Sequence, residues 1–380
     1  MAKEAGPASW FQRVKLAILP AILVPLTVGL SLAGAEDWVV FAAAGVAVIP
    51  LAHLMGIATE ELGKRAGPGI GGLLNATLGN ATELIIALVA LSRAASLAAA
   101  GNNVAATGLV EVVKASITGS IIGNVLLVLG LSTLIGGLRY KTQKFSVRAA
   151  ELQVTLLVLA IVALVMPELF QLSYAGAGGV PPGLPNVSFG ISIILLVGYV
   201  LGLVFSLHTH KDVFNPVTHE QEEPKWSRNF ALAVLIGSTV LVGLVAEILV
   251  GTVEGVTPSL GIAKPELFMG VIIIAIIGNA AEHGAAVVMA WKNKMDLSVG
   301  IATISSVQIA LFVTPVLVLS SVAIGAPLTL AFEIFELVAI ILSVAILAVL
   351  AKDGETNWYE GVLLLLVYAI IGVGFYFHPA

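Results

Sequence analysis

The sequence predicts an all-α polytopic membrane protein of eleven transmembrane helices, one extra N-terminal helix followed by two inverted five-helix repeats. Three observations carry that expectation. The composition is 58% hydrophobic and only 11% charged over 380 residues, with a mean hydropathy of +1.04; a soluble domain devotes about a quarter of its residues to charge. Apolar runs long enough to cross a bilayer core, roughly 20 residues each, recur along the chain. Finally, a motif occurs twice inside such runs, as Gly79-Asn80-Ala81-Thr82-Glu83 and as Gly278-Asn279-Ala280-Ala281-Glu282. This composition leaves no room for a soluble domain, and the short alternating segments of a β-barrel are absent. The chain contains no cysteine, which excludes disulfides, thiolate metal sites and thiol chemistry.

Apolar runs fall near 15–33, 37–57, 69–91, 106–135, 147–166, 187–207, 230–250, 266–290, 297–322, 328–350 and 360–377. The first follows a polar lead with Lys3, Arg13 and Lys15; without a convincing cleavage site it reads as a span, kinked at Pro20 and Pro25. The run at 106–135 is too long for one straight crossing, so it must tilt, break or extend. With the N-terminus in the cytoplasm, alternation leaves only Arg93, Lys114 and Lys264, of 18 lysines and arginines, on the outer side. The positive-inside rule therefore predicts a cytoplasmic N-terminus and an outside C-terminus; the short linkers point to a prokaryotic cell membrane, with an organellar one as the alternative.

A polar connection, 208–229, with His208, His210, His219, Glu220, Glu222 and Glu223, divides the chain. The organisation is then residues 1–35 as the first helix, 36–207 as one five-helix repeat, 208–229 as a cytoplasmic linker and 230–380 as the second repeat. The halves correspond in order: Thr59-Glu60 with Ala246-Glu247, the two Gly-Asn motifs with each other, and Ser120–Asn124 with Ser305–Gln308. Arg148–Gln153 and Glu333–Val338 match as well. An odd number of spans per half turns the second upside down relative to the first.

An ionisable residue deep in a membrane helix costs several kcal/mol on insertion scales, so Glu83 and Glu282 are functional candidates. Helical spacing puts Asn80 beside Glu83 and Asn279 beside Glu282. Ser120, Asn124, Ser305, Ser306 and Gln308 add hydroxyl and amide oxygens. Oxygen donors around two carboxylates suit a hard cation such as calcium, although each hydroxyl or amide could equally serve helix packing. His283 lies about 100° around the helix from Glu282, as a proton relay or a helix-contact residue. Glu60, Glu247 and Glu254 lie near the ends of the second and seventh spans, where an entrance or gating role competes with simple contact with water. Glu111 and Lys114 have the spacing of a neutralising pair. No His-Glu-x-x-His metallopeptidase pattern occurs.

Gly71–Ile85, Gly278–Val287 and Ser305–Pro315 resemble the motifs of the calcium/proton exchanger branch of the calcium/cation antiporter superfamily. The resemblance extends over essentially the whole chain past the first span. It implies an exchanger with inverted repeats, with Glu83 and Glu282 as shared calcium and proton ligands and with the second and seventh spans as gating helices. Two carboxylates in a low-dielectric site bind protons more readily, and either a divalent cation or protonation relieves their repulsion. Competition for one site then becomes exchange if only loaded states cross. Sodium coupling or manganese transport on the same architecture is the alternative. The expected partners are calcium, protons and the lipid bilayer, with no cofactor, no nucleic acid and no enzymatic activity; a homo-oligomer is compatible with the sequence.

Overall fold

The computed structural model describes residues 7–174, 181–210 and 223–379; most of the polar linker, with His219, Glu220 and Glu222, and the basic residue Lys3 lie outside them. Among the described residues nine helices are long and apolar enough to cross a membrane, and Ala17–Leu32 and Ile334–Leu350 are shorter apolar helices. The chain divides into two compact units.

The first unit is Met1–Val89 with Val217–Ser259. It holds α1 (Pro7–Leu32), α2 (Asp37–Leu78), the start of α3 (Ala81–Ala99) and α8 (Arg228–Val256). Along α2, Ala44, Val48, Leu51, Met55 and Ala58 are fully or almost fully buried, at the three- and four-residue spacing that lines one helix face. On α8 the buried series is Val242, Val245, Ala246, Leu249 and Val253. The alanines and valines of these faces let the two helices run closely side by side. The helix α2 also turns sharply on itself. A Cβ on Gly71 would lie 2.5 Å from the Gly63 carbonyl oxygen, whereas a straight helix holds residues eight apart at about 12 Å. The Gly67-Pro68-Gly69 sequence between them accounts for the turn, because proline removes a helix donor and glycine tolerates close backbones.

The second unit is Ala90–Pro216 with Leu260–Ala380. It contains α4 (Asn103–Ile122), α5 (Leu129–Arg139), α6 (Val147–Tyr174), α7 (Leu184–Val204), α9 (Ala275–Trp291), α10 (Met295–Gln308), α11 (Thr314–Ile324), α12 (Ile334–Leu350) and α13 (Trp358–Tyr376). Three of its long helices carry an internal π-helical segment: Gly123–Val128 joins α4 to α5, Met269–Ile274 leads into α9, and Ile309–Val313 joins α10 to α11. The long run expected at 106–135 is thus one helical span, Asn103–Arg139, widened internally and extended at both ends. Glycines set its packing: a Cβ on Gly119 would collide with the carbonyl of Val271, and one on Gly270 would strike the Ala115 side chain and the Val112 carbonyl.

Polar ties close the ends of this unit. Strand β1 (Gln143–Lys144) pairs antiparallel with β2 (Glu355–Thr356), with Gln143 opposite Thr356. Lys264 Nζ meets Glu333 Oε1 at 2.6 Å, and this hydrogen bond holds the Lys264 ammonium above its ordinary pKa. Lys114 donates to the Ala331 carbonyl at 2.9 Å and forms no ion pair with Glu111 among the described residues, contrary to the spacing argument. The helix start at α12 is closed reciprocally by Glu333 and Glu336, and Thr118 donates to Glu336 at 2.7 Å. The compact units cut across the two expected halves of the chain, each drawing helices from both.

Candidate functional site

The two Gly-Asn motifs fold differently. At the first, the ladder of helical hydrogen bonds lapses at Gly79-Asn80 between α2 and α3, although Gly79 keeps helical dihedrals of −55° and −49°. Glu83 therefore lies in the first turn of α3, where unpaired N–H groups and the helix dipole favour a carboxylate. Asn80 is 1% exposed and both carboxylate oxygens of Glu83 are buried. At the second motif α9 runs unbroken through Gly278, Asn279 and Glu282, and the irregularity is displaced to the preceding π-helical segment. Such segments concentrate at functional sites.

Within the second unit, α4, α9 and α10 bring polar groups together. Asn279, 1% exposed, donates from Nδ2 to Ser120 Oγ at 2.8 Å and to the Ala275 carbonyl at 2.8 Å. Its Oδ1 accepts from Asn124 Nδ2 at 3.4 Å. Asn124 sits in the π-helical segment, and its own Oδ1 is buried without a hydrogen-bond partner among the described residues. An orphaned carbonyl oxygen in a polar, buried cluster is the kind of group a cation or water satisfies. Glu282 accepts a close hydrogen bond from Ser305 Oγ across the α9–α10 contact. Ser120, Asn124, Asn279, Glu282 and Ser305 thus form two linked sets of oxygen donors on neighbouring helices of one unit.

Other candidates sit elsewhere or turn away. The Ser306 hydroxyl donates to the Ala302 carbonyl of its own helix at 2.9 Å, so its hydroxyl proton serves the backbone. Gln308 is buried, at 6% exposure, at the end of α10. His283 is half-buried and makes no hydrogen bond among the described residues. In the first unit Glu60 is a largely exposed partner of Lys64 at 2.7 Å, the arrangement of a solvated helix end. Glu247 is exposed and Glu254 half-buried; both lie inside α8, which continues past the apolar run that ends near residue 250.

Two supports were not legible in the motifs. Gln143 Nε2 donates to the Ala290 carbonyl at 2.8 Å and to Asn293 Oδ1 at 3.0 Å, fastening the end of the helix that carries Glu282. The signal available was Lys-Asn-Lys at 292–294, where Asn293 takes the left-handed φ of 59° that ends helices. The other support is at Trp226. Its N–H donates to Glu61 Oε2 at 2.7 Å and its carbonyl accepts from Arg65 Nε at 3.0 Å.

Carboxylates and amides inside apolar helices are the mark of a membrane ion carrier. The comparisons agree in class: the sodium/calcium exchanger protein family matches residues 36–208 and 230–377. The chain belongs to that family. The Ca(2+)/H(+) antiporter ChaA of Bacillus subtilis (strain 168) is 46% identical over 364 residues, covering 94% of this chain and 98% of its own. The Ca(2+)/H(+) antiporter of Synechocystis sp. is 43% identical, covering 96% and 98%. The solved structure of native YfkE superposes with a TM-score of 0.78 at 42% identity, covering 95% of this chain and 99% of that one.

Proposed function

We propose that this protein is a calcium/proton antiporter that exports calcium from the cytoplasm against an inward flow of protons. The observation that carries the reading is the carboxylate of Glu282, inside an apolar helix and bonded to Ser305, beside the Asn279–Ser120–Asn124 cluster with its orphaned oxygen. Only oxygen donors are offered there, which suits calcium, and a carboxylate at that depth is also the group that takes up a proton when the cation leaves. The antiporter names of the relatives that match nearly the whole chain support the same reading.

In this scheme Glu83 and Glu282 are shared ligands, with Asn80, Asn279, Ser120, Asn124, Ser305 and Gln308 supplying neutral oxygens. Calcium or protons neutralise the carboxylates, and the unneutralised site is too costly to carry across the bilayer, so one ion crosses only in exchange for the other. His283 accepts a proton next to the site. Eleven crossings, with the two shorter apolar helices included, an inverted pair of repeats and a cytoplasmic N-terminus complete the proposal.

The test is calcium uptake into sodium-free proteoliposomes with an imposed pH gradient. Wild type is expected to accumulate calcium only when the lumen is acidic, and Glu83→Gln and Glu282→Gln to fail. Uptake that ignores the pH gradient but follows added sodium would replace the proton as the driving ion. Normal transport by either variant would remove that glutamate from the site.

A further inference from the structure

The peptide of Trp226 is gripped on both sides by one face of α2. Glu61 and Arg65 stand four residues apart, one helical turn; Glu61 takes the Trp226 N–H at 2.7 Å, and Arg65 reaches the Trp226 carbonyl with both Nε, at 3.0 Å, and a terminal guanidinium nitrogen. Lys64 lies 3.5 Å from Glu61 and supports its charge. Glu61 is 4% exposed and Trp226 7%. The indole packs with Ala58 and Ala231 and lies edge-on to Phe230 at 5.0 Å. Ser227 then caps α8 by accepting the Phe230 N–H at 3.3 Å. This is a two-sided fixture for backbone, built from a buried carboxylate and an exposed guanidinium.

Its position gives it consequence. The fixture ends at Arg65, and the chain then turns back so that Gly71 lies against Gly63. Beyond that turn α2 continues through Asn75 to Leu78, and the break at Gly79-Asn80 leads into α3 with Glu83 in its first turn. Rigid attachment on one side of a glycine-rich turn and a ligand-bearing segment on the other is the arrangement of a hinge with one anchored arm. We infer that Glu61 and Arg65 are positioning residues: by clamping the Trp226 peptide they make the neighbouring ends of α2 and α8 one rigid arm, so that movement during exchange is confined to the turn that leads to Glu83. The inference rests on the antiporter reading above, and it assigns Glu61 no contact with the transported ions.

The experiment compares wild type, Glu61→Ala, Glu61→Gln and Arg65→Ala as full-length protein in proteoliposomes, with rates expressed per folded molecule. Glu61→Ala and Arg65→Ala are expected to lower maximal exchange at least fivefold while calcium KM and the pH profile stay within twofold. Glu61→Gln keeps an acceptor oxygen for the Trp226 N–H and is expected to recover most of the rate. Amide hydrogen exchange at residues 226–231, which needs no transport, is expected to speed up in the two alanine variants alone. An unchanged rate per molecule in Glu61→Ala would reduce the fixture to a folding contact, and a changed KM or pH profile would make Glu61 an ion-path residue; either result overturns the inference. Wild type that exchanges no calcium for protons while its amide protection depends on Glu61 would instead fail the antiporter reading and leave the fixture standing.

Discussion

Asn279 holds the polar cluster of the second unit together, because both N–H groups of its amide are used and its oxygen accepts from Asn124 Nδ2. Truncating it strands Ser120 and Asn124 in surroundings where each is at most 3% exposed. A buried polar group left unpaired costs about 1–3 kcal/mol, so Asn279→Ala is expected to lower the thermal midpoint in detergent and to shrink the stabilisation that added calcium gives. A thermal shift with and without calcium checks both; full calcium stabilisation in the variant would mean the cluster packs helices without binding the ion. Ser305 poses a narrower question, since its hydroxyl donates directly to the Glu282 carboxylate. A hydrogen bond to a charged group contributes about 1.5–3 kcal/mol, and Ser305→Ala is therefore expected to weaken calcium binding at fixed pH by roughly tenfold or more, whereas Ser306→Ala, whose hydroxyl serves its own helix backbone, is expected to change it little. Isothermal titration of the two variants separates these roles.

Between elements, glycine decides how closely helices approach, and two glycines four residues apart give opposite expectations. A side chain at Gly119 meets the backbone of Val271, but one at Gly123 meets nothing within 4 Å. Overpacking against backbone costs about 1–3 kcal/mol, so Gly119→Ala is expected to lower the thermal midpoint while Gly123→Ala leaves it in place. In the sequence the two are alike, small residues interleaved with Ser116, Ser120 and Asn124 on one span, and composition cannot tell which faces a neighbour. The same limit hid the π-helical segments: Asn124 and Gln308 were readable as polar positions, but an extra residue per turn leaves no compositional mark. At the Lys264–Glu333 tie the pH dependence has a definite sign. The lysine's pKa is raised in the folded protein by its hydrogen bond to Glu333, so the pair's stabilisation is fully present below the ordinary lysine value of about 10.4 and is lost as pH rises through the higher folded value. Lys264→Met is therefore expected to narrow the difference in thermal midpoint between neutral and strongly alkaline buffer.

For the molecule as a whole, charge and periodicity made the membrane class legible, and the repeated Gly-Asn-x-x-Glu pattern made the central carboxylates legible. The compact units were not, because Glu61 and Trp226 are 165 positions apart and nothing in either neighbourhood announces the other. The matched motifs also fold differently: Glu83 lies in the first turn of a helix while Glu282 lies inside an unbroken one. The proposed exchange scheme has both carboxylates act on one cation, and that scheme yields a measurement that needs no structure. If calcium binds only after protons leave the site, apparent calcium KM must rise as pH falls below the range in which the carboxylates ionise. Each proton that competes contributes about a tenfold rise per pH unit, since one unit corresponds to about 1.4 kcal/mol. A site that releases one proton gives a limiting slope of about tenfold per unit, and a site in which both glutamates must deprotonate gives about a hundredfold. Calcium KM measured in proteoliposomes across a series of equal internal and external pH values is expected to approach the steeper slope in wild type, and the shallower slope there would mean that only one of the two glutamates must deprotonate. A KM independent of pH would leave calcium and protons on separate sites, and the coupling would then have to come from conformational change alone.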